Sequence, residues 1–149
     1  MEYLEYDTRL AAYAVIVEDG RILLTWYNGE AGKGTPCWSL PGGGVEYDET
    51  VEQAIHREVL EETGLEVALH APLTVHSWTG TPKLSSRPFK SVRVLYDAEV
   101  TGGKLETTEV DGSTDFAKWL ALDEVFAQPS LADIVPVAID AWRARNAAS

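Results

Sequence analysis

The chain has 149 residues, enough for one domain with its own core, so we expect a single domain over residues 1–149. Its 24 acidic and 12 basic residues give a formal charge of −12, which argues against a nucleic-acid polymer or an anionic membrane as partner. A single cysteine excludes an internal disulfide, and this cysteine, an N-terminus unlike a signal peptide and the lack of a membrane-spanning apolar run together favour the cytoplasm.

Two paired strands are predicted at the N-terminal end. Leu10–Val17 is a continuous apolar run, and the Asp19-Gly20 pair after it is typical of a hairpin turn into a second strand, Arg21–Trp26. Because a run without polar interruptions is typical of a strand buried on both faces, we expect the first strand to be central.

A loop is predicted over Tyr27–Pro36, which is rich in glycine and polar residues. Lys33 in this loop is a candidate for binding a phosphate, and the nearby aromatic residues are candidates for stacking on a nucleobase: Trp26, Tyr27 and Trp38. An isolated lysine is more often solvated and an isolated tryptophan more often packed in a core, and we favour these interpretations.

The segment from Gly43 to Leu65 carries the strongest signals in the chain. It follows a short strand, Trp38–Leu40, and a run of glycines that lets the backbone approach another group closely. A helix is predicted next, with Asp48 or Thr50 as its N-cap and Gly64 as the left-handed residue that ends it.

Three carboxylates, Glu58, Glu61 and Glu62, project to one flank of this helix. They repel one another and oppose the helix dipole in its last turns, so a positive charge is expected there. Clustered carboxylates suit a hard divalent cation, Mg²⁺ or Mn²⁺, better than Zn²⁺. The alternative is a solvated helix face that is rich in glutamate.

The full spacing of the segment decides between these alternatives. Gly43 and Glu49 are separated by five residues, and seven more precede the run Arg57-Glu58-Val59-Leu60-Glu61-Glu62-Thr63-Gly64-Leu65. This pattern resembles the signature of the MutT-like Nudix hydrolases at every defined position.

The resemblance assigns roles to individual residues. It implies that Glu58 and Glu62 are the principal metal ligands and that Glu61 is a third ligand or the group that activates water. The backbone carbonyl of Gly43 or Gly44 would be available to the same ions. A further pair of residues, Arg57 and Glu49, would brace the glycine loop against the helix by a salt bridge.

The next predicted strand, Val67–Trp78, leads into a long loop, Thr79–Pro88. This loop holds two basic residues, Lys83 and Arg87, and loops of this kind often carry specificity. One of the two side chains binds an anionic group of the substrate, or both only keep the loop solvated; we leave the two interpretations open. Phe89–Val100 then alternates as a half-buried strand does.

The C-terminal part begins with a turn at Thr101-Gly102-Gly103 and the segment Lys104–Val110. An acidic loop and the strand Phe116–Leu120 follow. Some Nudix enzymes use a late-loop carboxylate as the base, and the candidates here are Glu109, Asp111 and Asp115. A C-terminal helix is predicted from an N-cap signature at Ser130 and Asp133, with Pro136 bending it or marking a later start.

The predicted fold class is α/β (α+β): a mixed central sheet covered by helices on both faces, which the resemblance specifies as a Nudix-type α/β/α sandwich. The implied function is Mg²⁺-dependent hydrolysis of a nucleoside diphosphate linked to another group, by attack of metal-activated water on phosphorus. The alternative is a Nudix-fold module that senses a nucleotide without hydrolysing it. The expected partner is a small-molecule nucleotide, and a homodimer is left open.

Overall fold

The computed structural model describes residues 1–80, 87–107 and 111–147. Within these residues the chain forms seven strands: β1 (Asp7–Glu18), β2 (Arg21–Tyr27), β3 (Cys37–Ser39), β4 (Gly42–Gly44), β5 (Leu65–Gly80), β6 (Phe89–Gly103) and β7 (Thr114–Ala121). The same described residues form three helices: α1 (Val51–Thr63), α2 (Leu122–Val125) and α3 (Ile134–Ala147). No helix in the described ranges is long and apolar enough to cross a bilayer.

The strands form one mixed sheet with β1 at its centre, as its apolar run predicts. The main order is β3-β2-β1-β6-β5, while β4 pairs with β1 and β7 pairs with β2. The predicted hairpin joins β1 to β2, with Asp19 and Gly20 at φ values of 50° and 74°. The β1–β6 pair is parallel, whereas β4 and β5 pair antiparallel with β1 and β6.

Each face of the sheet is covered by a helix, which confirms the predicted sandwich. Alternate residues of β1 point to opposite faces: Ala14 packs with Ile55 and Val59 of α1, whereas Val15 packs with Val135 and Ile139 of α3. These residues are all fully buried, so β1 lies between two cores. Its position brings β4 to one side of β1 and β6 to the other.

Of the two predicted N-caps of α1, the structure has Thr50 rather than Asp48, and the predicted C-cap Gly64 is confirmed. Thr50 accepts a hydrogen bond from the backbone N–H of Gln53, and the Gln53 side chain accepts one from the N–H of Thr50. Gly64 ends the helix in the left-handed conformation at φ 76°. Residues 45–50 connect the glycine strand β4 to this capped helix.

The C-terminal helix begins later than its apolar pattern predicts. The predicted N-cap at Ser130 is wrong: its hydroxyl donates instead to the carbonyl of Pro36, 2.7 Å away. Pro136 lies in the first turn of α3, where a missing N–H costs nothing, so it marks the later start rather than a bend. In addition, β6 continues through Gly103, past the predicted turn.

Candidate active site

The glycines of β4 lie against the carboxylates of α1. A Cβ atom added to Gly43 would lie 2.9 to 3.3 Å from the carboxylate atoms of Glu58. The N–H of Gly42 donates to Oε1 of Glu62 at 2.8 Å. Position 43 therefore has no room for a side chain beside Glu58, and position 42 contributes its backbone N–H to Glu62.

Glu62 is the buried member of the group, with 5% of its surface exposed. Its Oε1 accepts from Gly42, and its Oε2 accepts from the hydroxyl of Thr114 at 2.5 Å. Both oxygens of this carboxylate are thus held by neutral donors, which fixes its position between β4 and β7.

Arg57 joins the glycine loop to the helix, as the resemblance implies. Its Nη2 and Nε donate to the two oxygens of Glu49 at 2.6 and 3.0 Å, a bidentate pair. Its Nη1 lies 2.9 Å from Glu58 and 3.5 Å from Glu61, and Nη2 also donates to the carbonyl of Gly44. One guanidinium therefore sets the positions of three carboxylates.

The electrostatics of this brace follow from its geometry. The hydrogen bonds from Arg57, followed by the one from the backbone of Glu46, lower the pKa of Glu49 to about 2. The same pair raises the pKa of Arg57 above its usual value. Both groups are therefore charged throughout the physiological pH range.

Carboxylate charge exceeds cationic charge around Arg57. Four glutamates lie 2.6 to 3.9 Å from its guanidinium: Glu46, Glu49, Glu58 and Glu61. In the described ranges and in this conformation, no three His, Cys, Asp or Glu side chains form a group that could hold a metal ion. The donor set is nonetheless made of carboxylate and carbonyl oxygens, which is the chemistry that Mg²⁺ and Mn²⁺ prefer.

Two of the late-loop candidates line an open pocket of about 820 Å³. Asp111 and Asp115 form part of its wall, together with Lys33 and with Thr114, whose hydroxyl also contacts Glu62. Oδ1 of Asp115 accepts a hydrogen bond from Asn28 at 2.9 Å. The pocket thus adjoins the buried carboxylate. The third candidate, Glu109, lies outside the described residues.

The structure describes one of the two basic residues that the sequence analysis singled out in the long loop. Arg87 donates to Asp7 and to the carbonyl of Leu4, each at 2.7 Å, so it ties the N-terminal segment to the start of β6. Lys83 lies outside the described residues.

The candidate stacking residues pack against other aromatic rings. The rings of Trp26 and Trp38 lie 5.2 Å apart edge to face, and Trp26 stacks on Phe116 at 6.4 Å. This agrees with the favoured interpretation that the tryptophans pack rather than stack on a base. Tyr27 lies beside this group, with its hydroxyl near the backbone of Gly34.

Sequence reasoning missed Thr114 and Tyr13. Tyr13 lies in β1 opposite Gly42, and burial raises the pKa of its hydroxyl. The charges of Arg93 and Arg9 act in the opposite direction, while those of Glu62 and Glu58 raise the pKa further. Tyr13 therefore stays protonated at neutral pH, and its hydroxyl feels the charges of two α1 carboxylates and two arginines. No local pattern marks either residue.

The chain thus combines an α/β/α sandwich with a glycine strand that faces a helix bearing carboxylates. Comparison with known protein families identifies the class of domain that has these features. A family model described as NUDIX domain matches residues 7–140. The chain therefore belongs to the Nudix family.

Individual relatives agree with this assignment. A MutT-like protein from Streptomyces ambofaciens is 38% identical over 76% of this chain and 64% of its own length. An ADP-ribose pyrophosphatase from Methanocaldococcus jannaschii is 35% identical over 72% of this chain and 60% of its own length. The chain thus spans less than two thirds of these two relatives. A Nudix hydrolase structure from Nitrosomonas europaea superposes with a TM-score of 0.76 at 25% identity, covering 93% of this chain and 90% of its own.

Proposed function

We propose that the chain is a divalent-metal-dependent pyrophosphohydrolase that cleaves the diphosphate linkage of a nucleoside diphosphate derivative. The observation that carries the proposal is the charge balance where α1 meets β4. Four carboxylates lie within 3.9 Å of the single positive charge of Arg57, and the fifth, Glu62, contacts the adjoining glycine. The name of the Methanocaldococcus relative, a pyrophosphatase, supports the same class of reaction.

The residues divide into a brace and a set of ligands. Glu49 is engaged by both of its oxygens in the pair with Arg57, so its role is to hold the loop. The groups that would hold Mg²⁺ or Mn²⁺ are the carboxylates of Glu58, Glu61 and Glu62 and the backbone carbonyl of Gly43. Bound ions would supply positive charge to the diphosphate and acidify the attacking water.

The reaction itself needs a proton acceptor. Water attacks one phosphorus, the bond from that phosphorus to the bridging oxygen breaks, and the substrate leaves as two phosphorylated fragments. We assign the proton to a carboxylate oxygen of Glu61, because this side chain is 41% exposed and open to water, whereas Glu62 is buried. The late-loop carboxylates Asp111 and Asp115 are the alternative acceptors.

Product release from a substrate panel tests the proposal. The panel contains nucleoside triphosphates, ADP-ribose, nucleotide sugars, dinucleoside polyphosphates and coenzyme A, each assayed with Mg²⁺ and again with excess chelator. We expect turnover of one class, a loss with chelator, and a fall in kcat of at least about 100-fold in Glu61→Gln and Glu62→Gln.

A glutamate of the same helix provides the matched control. Glu52 lies in the first turn of α1 and accepts a hydrogen bond from the hydroxyl of Tyr96, a contact that glutamine can also accept. Glu52→Gln should therefore keep full activity. Turnover that survives both site variants would refute the assigned roles. No turnover of any compound, together with a thermal shift by one of them, would instead favour the nucleotide-sensing alternative.

A further inference from the structure

A second group of polar side chains lies on the α3 side of the sheet, away from the carboxylates of α1. Arg93 of β6 lies opposite His76 of β5, and its Nη1 donates to Oδ1 of Asp133 at 2.9 Å. Its guanidinium carbon lies 5.5 Å from the centre of the Trp78 ring. Trp78 is itself held edge to face by Phe89, 4.9 Å away. An aromatic face and a carboxylate therefore fix the orientation of Arg93.

This group has hydrogen-bonding capacity that the described residues do not fill. The side chain of Arg93 is only 14% exposed, yet within the described ranges Nη1 is its one nitrogen with a hydrogen-bond partner. The buried Nδ1 of His76, directly opposite, has no partner there either. Because buried polar groups are nearly always paired, the unpaired Nδ1 of His76 beside a guanidinium with N–H groups that are free among the described residues indicates room for a polar ligand.

The register of the sheet places this group at a defined distance from the glycine strand. Gly44 of β4 pairs with Ala11 of β1, and Ala11 pairs with Arg93 of β6. Two strand spacings, roughly 10 Å, therefore separate the backbones of Gly44 and Arg93. That distance is too great for Arg93 to contact a phosphate bound at the glycines, but it suits the far end of the same substrate.

The charges of Arg93 and Asp133 determine which chemical group, at the end of the substrate away from the glycines, can bind to them. Asp133 already balances the charge of Arg93, and its side chain is 64% exposed, so a second phosphate would meet a carboxylate. A neutral ring does not meet this repulsion. Arginine is only a donor and an ionised aspartate only an acceptor, so the pair complements an edge that carries C=O beside N–H.

We propose that Arg93 and Asp133 read the base of a nucleotide substrate and select guanine and uracil over adenine and cytosine. Guanine and uracil present a carbonyl oxygen beside a ring N–H, whereas adenine and cytosine present an amino group beside an unprotonated ring nitrogen. Trp78 is a positioning residue that holds the guanidinium in place. The inference rests on the proposed nucleotide substrate and adds the class of base to it.

Calorimetric binding of GMP, AMP, UMP and CMP tests the inference without hydrolysis. We expect GMP to bind roughly 5- to 150-fold more tightly than AMP, and UMP to exceed CMP by a similar factor. Both ratios should fall toward 1 in Arg93→Met and in Asp133→Asn, the second of which removes only a charge from an exposed side chain. Arg143→Met, the same change at an exposed position of α3, should leave both ratios unaltered.

Several results would overturn the inference. Equal affinity within each pair of bases would do so, as would preferential binding of AMP, a ratio that persists in Arg93→Met, or absence of binding by all four compounds. The outcome is separable from that of the proposed function. If no compound is hydrolysed while the base preference depends on Arg93, the hydrolase proposal fails and base recognition stands.

Discussion

Replacing each glycine of β4 in turn with alanine separates the site from the fold that supports it. In Gly42→Ala, the new Cβ would lie 2.3 Å from the carbonyl oxygen of Ala12 at a φ of 147°. In Gly43→Ala, it would meet the flexible end of Glu58 at 2.9 Å. In Gly44→Ala, nothing lies within 4 Å. The same added methyl group therefore contacts backbone at position 42, a carboxylate of the candidate site at position 43, and no other atom of the described residues at position 44.

The three variants should differ in both stability and activity. Gly42→Ala should lose at least about 2 kcal/mol of unfolding free energy, which lowers Tm by at least about 4 °C. Gly43→Ala should stay within about 1 kcal/mol of the wild type, because Glu58 can move, while its displacement lowers kcat/KM by about 10- to 100-fold. Gly44→Ala should keep full activity and gain up to about 1 kcal/mol from the stiffer unfolded chain.

Thermal unfolding and Mg²⁺-dependent product release measure both quantities on the same samples. The reasoning would be refuted if Gly43→Ala kept wild-type kcat/KM, because Glu58 would then not need its present approach to the strand. It would also be refuted if Gly44→Ala lost as much activity as Gly43→Ala, because the effect would then follow from the general flexibility of the loop.

Two further predictions concern charge at the site. The lowered pKa of Glu49 means that its pair with Arg57 stabilises the fold above pH 4.5, the ordinary value, and that this stabilisation is lost as pH falls toward 2. Glu49→Gln should thus be less stable than the wild type at pH 7 by chemical denaturation, and the difference should vanish by about pH 2. Chelation should abolish turnover but shift Tm by less than about 3 °C, because Glu58 and Glu62 already accept hydrogen bonds from protein donors. Unfolding on chelation would contradict this.

The elements that the sequence predicts well are those with local signals. The caps of α1, Thr50 and Gly64, lie within one turn of the groups they satisfy, so its limits can be predicted from neighbouring residues. The hairpin at Asp19-Gly20 is local in the same sense. The spacing of the glutamates is local too, which is why the α1 part of the candidate site can be predicted before the fold is known.

The remaining contacts of the site join residues that are far apart in the chain. Thr114 reaches Glu62 across 52 positions, and Arg93 reaches Asp133 across 40. Both contacts depend on strand order, which residue patterning alone leaves open. The wrong N-cap at Ser130 has the same origin. The local capping pattern competes there with tertiary contacts, because Ser130 donates to the carbonyl of Pro36 and Asp133 pairs with Arg93.

The position of β1 explains how the proposed hydrolytic site and the proposed base-binding group can lie on different strands. On one side of β1, the glycines of β4 meet the carboxylates of α1, and their geometry is fixed by Arg57. On the other side, β6 presents Arg93 toward the loop before α3. Sites at this separation behave nearly independently in their energies, so residues such as Arg93 can change substrate preference while the carboxylates keep their positions. Under the two proposals, the base and the diphosphate of one substrate would contact different strands of the same sheet.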